Sequence, residues 1–219
     1  MEFRRKYIEF KSYKANFIAN VINEFIFILG LFFVFKNSGN LTIYNIFLIG
    51  TWYIFQSVIL DMIYEVEIDI RTQILLNLIL SKTSILLIIF KRSIVSFVNS
   101  SCVFFISMLF FYNDIFFYKI SIKNIIIYVL LAIVIFYVFY YLFLYLCIIF
   151  ERISTFVSFF NSLILIFANR IILFKQVFNI LMGKSYNIYI IMLNIILLLI
   201  INLIFMNIAY KKIHNEGVL

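Results

Sequence analysis

Residues 125–150 read IIIYVLLAIVIFYVFYYLFLYLCIIF, with no charged side chain among them. About 20 consecutive apolar residues suffice for an α-helix to cross the hydrocarbon core of a bilayer. Lipid offers no partner to a backbone N–H or C=O, so a single spanning segment must satisfy its own backbone as a helix. The stretch therefore reads as a transmembrane helix, and Glu151-Arg152 after it as a tight turn.

The same reading extends in both directions. Further apolar runs cover 94–112, 43–60 and 17–35 on one side, and 153–169 and 188–210 on the other. Two-thirds of the 219 residues are apolar (66%) and only 13% are charged. A water-facing surface cannot be assembled from so few charges. The expected architecture is all-α and polytopic, with six transmembrane helices in a single transmembrane domain, 1–219. No loop has room for a soluble catalytic domain.

The residues between the runs carry their own signals. Residues 1–14 place Phe3, Tyr7 and Phe10 on one helical face, with Arg4, Arg5, Lys6, Lys11 and Lys14 over much of the rest. That pattern is an amphipathic helix lying in the membrane interface. It lacks the apolar core of a cleaved signal peptide. Residues 61–93 form the most highly charged connection. Within it Glu65, Glu67 and Asp69 alternate with Val66, Ile68 and Ile70, a period of two that suggests a local strand. The residues from Arg71 and Thr72 onward look helical. A short, charged, half-buried helix here would suit docking to a cytoplasmic partner. Residues 170–186 are apolar but interrupted by Arg170, Lys175 and Lys184, and too short to span alone. They read as an extracellular re-entrant or interfacial segment.

Lysine and arginine fix the expected orientation. With the N-terminus inside, the inner segments carry twelve and the outer six. The bias favours both termini in the cytoplasm and agrees with an even number of spans. The net charge of +8 is thereby assigned to topology and interfacial anchoring, and nucleic acid is excluded as a partner. The excess of Ile, Phe, Asn, Lys and Tyr points to an AT-rich genome and a bacterial plasma membrane.

Several polar groups stand at bilayer depth. Asn16, Asn20, Asn23 and Glu24 share one face of the first span. A carboxylate there costs at least about 2.5 kcal/mol and must face protein or water. Either a translocation path or a helix contact satisfies this. Ser154, Ser158, Asn161, Ser162 and Asn169 repeat the pattern in the fifth span, and Ser93, Ser96 and Ser100 in the third. Small polar residues permit close helix packing. Cys102 and Cys147 lie in apolar runs and are expected to be buried. His214 is the sole histidine, so histidine-based metal and intramembrane protease chemistry is not expected, and no catalytic or metal-binding residue is assigned. Gly183-Lys184-Ser185 imitates the end of a phosphate-binding loop, but Phe178 stands where that loop needs glycine. No ATP site is expected on this chain.

This layout resembles the permease subunit of type-2 ABC exporters. The stretch YEVEIDIRTQILLNLILSKTSILLIIFKRSIVSF, 64–97, is similar to that family's acidic residues, short coupling helix, turn and following span. Lys82 departs from the proline common in the turn, and Arg71-Thr72 from a common Gly-Thr. The resemblance implies two separate ATP-binding subunits that hold ATP and Mg, and a second permease, identical or homologous. It implies that Glu65, Glu67, Asp69, Arg71 and Thr72 couple to the ATPases, and that the elbow residues Arg4, Arg5, Lys6 and Lys11 lie at the same interface. It further implies a path lined by the first, second and fifth spans. Asn20, Asn23, Glu24, Ser158, Asn161 and Ser162 would then line that path or contact the second permease. The aromatic, nearly uncharged spans suit an amphipathic or lipophilic cargo, peptide or drug-like. A substrate-binding membrane subunit of a vitamin or metal importer, and a non-transport immunity or sensor protein, are the competing expectations.

Overall fold

The computed structural model describes residues 11, 14–37, 42–72, 74, 85–111, 121–150, 153–159 and 171–216. Among these the chain is helical throughout: α1 (Lys14–Asn37), α2 (Ile43–Arg71), α3 (Ile85–Leu109), α4 (Ile122–Phe150), a short α5 (154–159), α6 (Ile172–Leu181) and α7 (Ile188–Glu216). Five of the helices contain segments long and apolar enough to cross a membrane: Ile18–Asn37, Tyr44–Arg71, Leu86–Leu109, Ile122–Phe150 and Ile188–Ile213. The chain is a multi-pass membrane protein. The rest of the expected fifth span, residues 160–169, lies outside the described residues, as do Arg4, Arg5, Lys6, Asn161 and Ser162.

The main departure from expectation is in α2. Its 29 residues run without a break to Arg71 and take in Glu65, Glu67 and Asp69. The alternation of 65–70 is therefore helical, not a strand. A strand at the end of a span would leave backbone groups unpaired, whereas extending the helix keeps the i→i−4 ladder intact. Of the charged segment expected at 61–93, both described ends are helical, because α3 begins at Ile85 and carries Lys91 and Arg92 in its early turns. At 1.5 Å per residue α2 is about 43 Å long, enough to cross the hydrocarbon and the head-group layers.

The chain divides into two compact units, Met1–Val58 with Leu86–Tyr118, and Ile59–Ile85 with Lys119–Leu219. In the first unit α1 and the first part of α2 are antiparallel: Tyr53 meets Glu24, and Trp52 lies 6.0 Å from Phe27 by ring centroids. α3 is antiparallel to α2, with Ser57 and Ser100 hydroxyls 2.8 Å apart. Gly50 lets the two approach, since a Cβ there would sit 2.5 Å from the Phe104 ring. The serines expected as a packing face, Ser93, Ser96 and Ser100, are all buried, and Ser107 joins them. Ser93 and Ser107 return their hydroxyls to the carbonyls of Phe90 and Val103, which keeps a polar group satisfied in apolar surroundings. Cys102, expected to be buried, is exposed, while Cys147 is buried as expected.

In the second unit α4 and α7 lie side by side and parallel. Asn202 Nδ2 donates to the Val138 carbonyl at 2.8 Å, and Lys212 Nζ to the Ile149 carbonyl at 2.9 Å. The two pairs are 64 and 63 residues apart in sequence, so the register holds along the pair. α6 packs on them with Leu173, Val177, Phe178, Ile180 and Leu181 buried, and Phe174 stacks on Phe139 at 6.1 Å. α6 ends in a glycine stop. Gly183 has φ 65°, its N–H donates to the Ile180 carbonyl, and the Lys184 N–H donates to the Asn179 carbonyl. This pair of bonds closes a helix through a left-handed residue, which glycine adopts without a Cβ penalty. Gly183-Lys184-Ser185 is thus a helix terminator. Asn187 opens α7, its Oδ1 accepting from the Tyr189 and Ile190 N–H groups, the usual role of an N-cap asparagine.

Candidate functional site: two intramembrane polar junctions

Two junctions between helices are built on a carboxylate, Glu24 in one unit and Glu67 in the other.

The first is built on α1 and α2. Glu24 lies in the third turn of α1, about 9 Å along the helix from the start of its apolar segment at Ile18. The Tyr53 hydroxyl, buried on α2, donates to Glu24 Oε2 at 2.6 Å. A hydrogen bond to a carboxylate is charge-assisted and roughly twice as strong as a neutral one. Tyr53 therefore offsets part of the cost of holding Glu24 at this depth. Asn20 and Asn23 share the expected polar face of α1 and are exposed. Lipid cannot satisfy their amides. One helical turn beyond Tyr53 on α2 are Gln56 and Ser57, and Ser57 meets Ser100 of α3. Tyr53 was missed by sequence reasoning. The available signal was its i, i+3, i+4 spacing with Gln56 and Ser57, which gives α2 a polar face of its own.

The second junction joins the end of α2 to the start of α5. Glu67 is 4% exposed. Its Oε1 accepts the Ile153 and Ser154 backbone N–H groups, each at 2.9 Å, and its Oε2 accepts the Ser154 hydroxyl at 3.3 Å. The first N–H groups of a helix lack intrahelical acceptors and carry partial positive charge. A carboxylate reaching in from another helix satisfies both needs. Arg71, one turn further on, stands 3.8 Å from Glu67 Oε2, with its side chain 57% exposed. The Lys212 ammonium satisfies the Ile149 carbonyl in the last turn of α4. Cys147 Sγ donates to the Ile63 carbonyl at 3.9 Å, and with Glu67 meeting Ile153 further along both segments the end of α2 runs in the same direction as α4.

The expected coupling residues thus separate. Glu67 and Asp69 are buried, Glu65 is half-buried, and Arg71 and Thr72 are exposed. The face of α2 that carries Ile63, Val66, Glu67 and Ile70 is turned inward, and Tyr64, Ile68 and Arg71 face outward. Ser158, expected on the path, is half-buried, with its hydroxyl donating to the Thr155 carbonyl. Lys11 is helical and exposed. Among the described residues no three His, Cys, Asp or Glu side chains gather as a metal site. No protein-family model matches the chain, and no curated protein and no solved structure is significantly similar to it.

Proposed function

We propose that the chain is the transmembrane permease subunit of an ATP-driven exporter, working with separate ATP-binding subunits and a second permease. It moves an amphipathic or lipophilic substrate out of the cell by alternating access. The observation that carries this reading is the inner end of α2, a long span whose final turns present Arg71 and Thr72 outward while Glu67 is fastened to the next helix corner. An exposed polar end on a helix that is anchored internally is the mechanical requirement for receiving a push from a soluble partner. A ligand such as ATP shifts access only if the two states differ in free energy with it bound, and a rigid element is needed to carry that difference into the membrane.

The topology of the proposal is six crossings with both termini in the cytoplasm. The parallel pairing of α4 and α7 supports an odd number of crossings in the connection between them. One crossing there, added to the five long helices, gives six. The lysine and arginine bias then assigns the inner face. In this reading Glu24, Tyr53, Asn20 and Asn23 form the polar lining that substrate or the second permease meets; Asn161 and Ser162, expected on the path as well, lie outside the described residues.

The test is purification of the tagged chain from its native host in mild detergent, with mass spectrometry of what accompanies it. A nucleotide-binding ATPase in stoichiometric amount is expected. A chain that purifies alone contradicts the proposal and leaves the importer-type or immunity readings.

A further inference from the structure

Glu67 and Lys212 act on two helix ends that follow one another in the chain, the last turn of α4 at Ile149 and the start of α5 at Ile153 and Ser154. Glu67 belongs to α2 and supplies negative charge and two acceptor atoms to the helix start, taking the Ile153 and Ser154 N–H groups and the Ser154 hydroxyl. Lys212 belongs to α7 and supplies positive charge and a donor to the helix end, at the Ile149 carbonyl. Each charge has the sign that its helix terminus favours. Each also satisfies backbone groups that a helix end leaves open. The buried face of α2 at this level, Ile63, Val66 and Ile70, excludes water from the Glu67 side. Burial strengthens such charge-assisted bonds relative to the same bonds in water.

We infer that Glu67 and Lys212, with the Ile153 and Ser154 N–H groups and the Ile149 carbonyl, form a clamp that binds the inner ends of α2, α4 and α7 and the start of α5 into one rigid joint. Glu67 is its positioning residue on the α2 side and Lys212 on the α7 side. A displacement applied to the exposed end of α2 at Arg71 and Thr72 reaches α4, α5 and α7 together through this joint. The resemblance to exporters implies that Glu67 contacts a soluble partner, whereas its carboxylate is directed inward and its bonds are internal. The use the cell makes of the joint rests on the permease reading. The joint itself does not.

The test uses the full chain, purified without any partner, in nanodiscs, with Cys102→Ser and Cys147→Ala as background. Spin labels are placed at two pairs of exposed positions, Thr72 with Phe159, and Phe159 with Lys211, and distances are read by pulsed electron paramagnetic resonance. Narrow distributions are expected for both pairs in the unaltered clamp. Glu67→Ala is expected to at least double the width for the Thr72–Phe159 pair, and Lys212→Met to do so for the Phe159–Lys211 pair. Glu67→Gln keeps one acceptor oxygen and is expected to give an intermediate width, so it serves where Glu67→Ala fails to accumulate. Unchanged widths in the Glu67 variants overturn the clamp. Failure to recover an ATPase, with the widths responding as expected, overturns the permease reading and leaves the clamp standing.

Discussion

Glu67 shows what a buried carboxylate needs in order to be stabilising. Isolated, its charge would cost several kcal/mol at this burial. With two backbone donors, a hydroxyl and the nearby Arg71 guanidinium it becomes a cap. Removing it leaves the buried Ile153 N–H and the half-buried Ser154 N–H without an acceptor, at about 1–3 kcal/mol for the buried one and less for the other. Glu67→Ala is therefore expected to lower stability by about 2–4 kcal/mol, measured as resistance to unfolding in sodium dodecyl sulfate. Glu67→Gln should lose about half as much. A smaller effect is expected at Tyr53→Phe, which removes one donor from Glu24. Side-chain hydrogen bonds within membranes average about 0.6 kcal/mol, so a loss of about 1 kcal/mol is expected. The steric case is Gly50, where a methyl group would enter the Phe104 ring. Gly50→Ala should cost about 1–3 kcal/mol, as overpacking does, and Phe104→Leu in the same chain should recover part of it. The location of Glu67 in the buried stripe was legible in principle, because Ile63, Val66, Glu67 and Ile70 recur at helical spacing. The period-two alternation of charge concealed it, since alternation looks the same whether the backbone is extended or helical over six residues. Its partners at 153 and 154 were not legible, because they are 86 and 87 residues away and only packing brings them near.

At the scale of elements, hydropathy was a good guide to existence and a poor guide to ends. The centres of α1, α2, α3, α4 and α7 all fall where apolar runs predict them. Several ends, such as those at Arg71, Ile85 and Glu216, extend past those runs, because a hydrogen-bonded helix continues at no penalty through polar residues in the head-group layer. α6 differs in kind. It has ten residues and is held in place by an apolar face, a glycine stop and its packing on α4 and α7. The stop makes a specific prediction. Gly183→Ala forces a Cβ into a left-handed conformation, at a cost of about 1–2 kcal/mol. Hydrogen exchange of the 172–185 peptide should accelerate several-fold, while peptides from α1 remain unchanged. A Gly183→Asn variant should behave more nearly like the parent, because asparagine tolerates that conformation best after glycine.

For the molecule as a whole, the parallel pairing of α4 and α7 bears most on function. Antiparallel neighbours need only a short loop, but parallel ones need a return crossing, which the proposed topology assigns to the 151–187 connection. Composition and the positive-inside rule give only the expected number of crossings and the expected orientation. The parallel pairing adds a constraint on the connection that the apolar run at 153–169 does not by itself carry. The most direct test of this arrangement is sided labelling of single cysteines in intact cells, in a Cys102→Ser, Cys147→Ala background, using a reagent that does not cross the membrane. Thr72→Cys and Lys211→Cys should stay protected until the membrane is opened, and Ser121→Cys and Tyr186→Cys should react from outside. Reaction of Lys211→Cys from outside, or of positions 121 and 186 on opposite sides, would contradict six crossings with cytoplasmic ends and, with them, the exporter architecture.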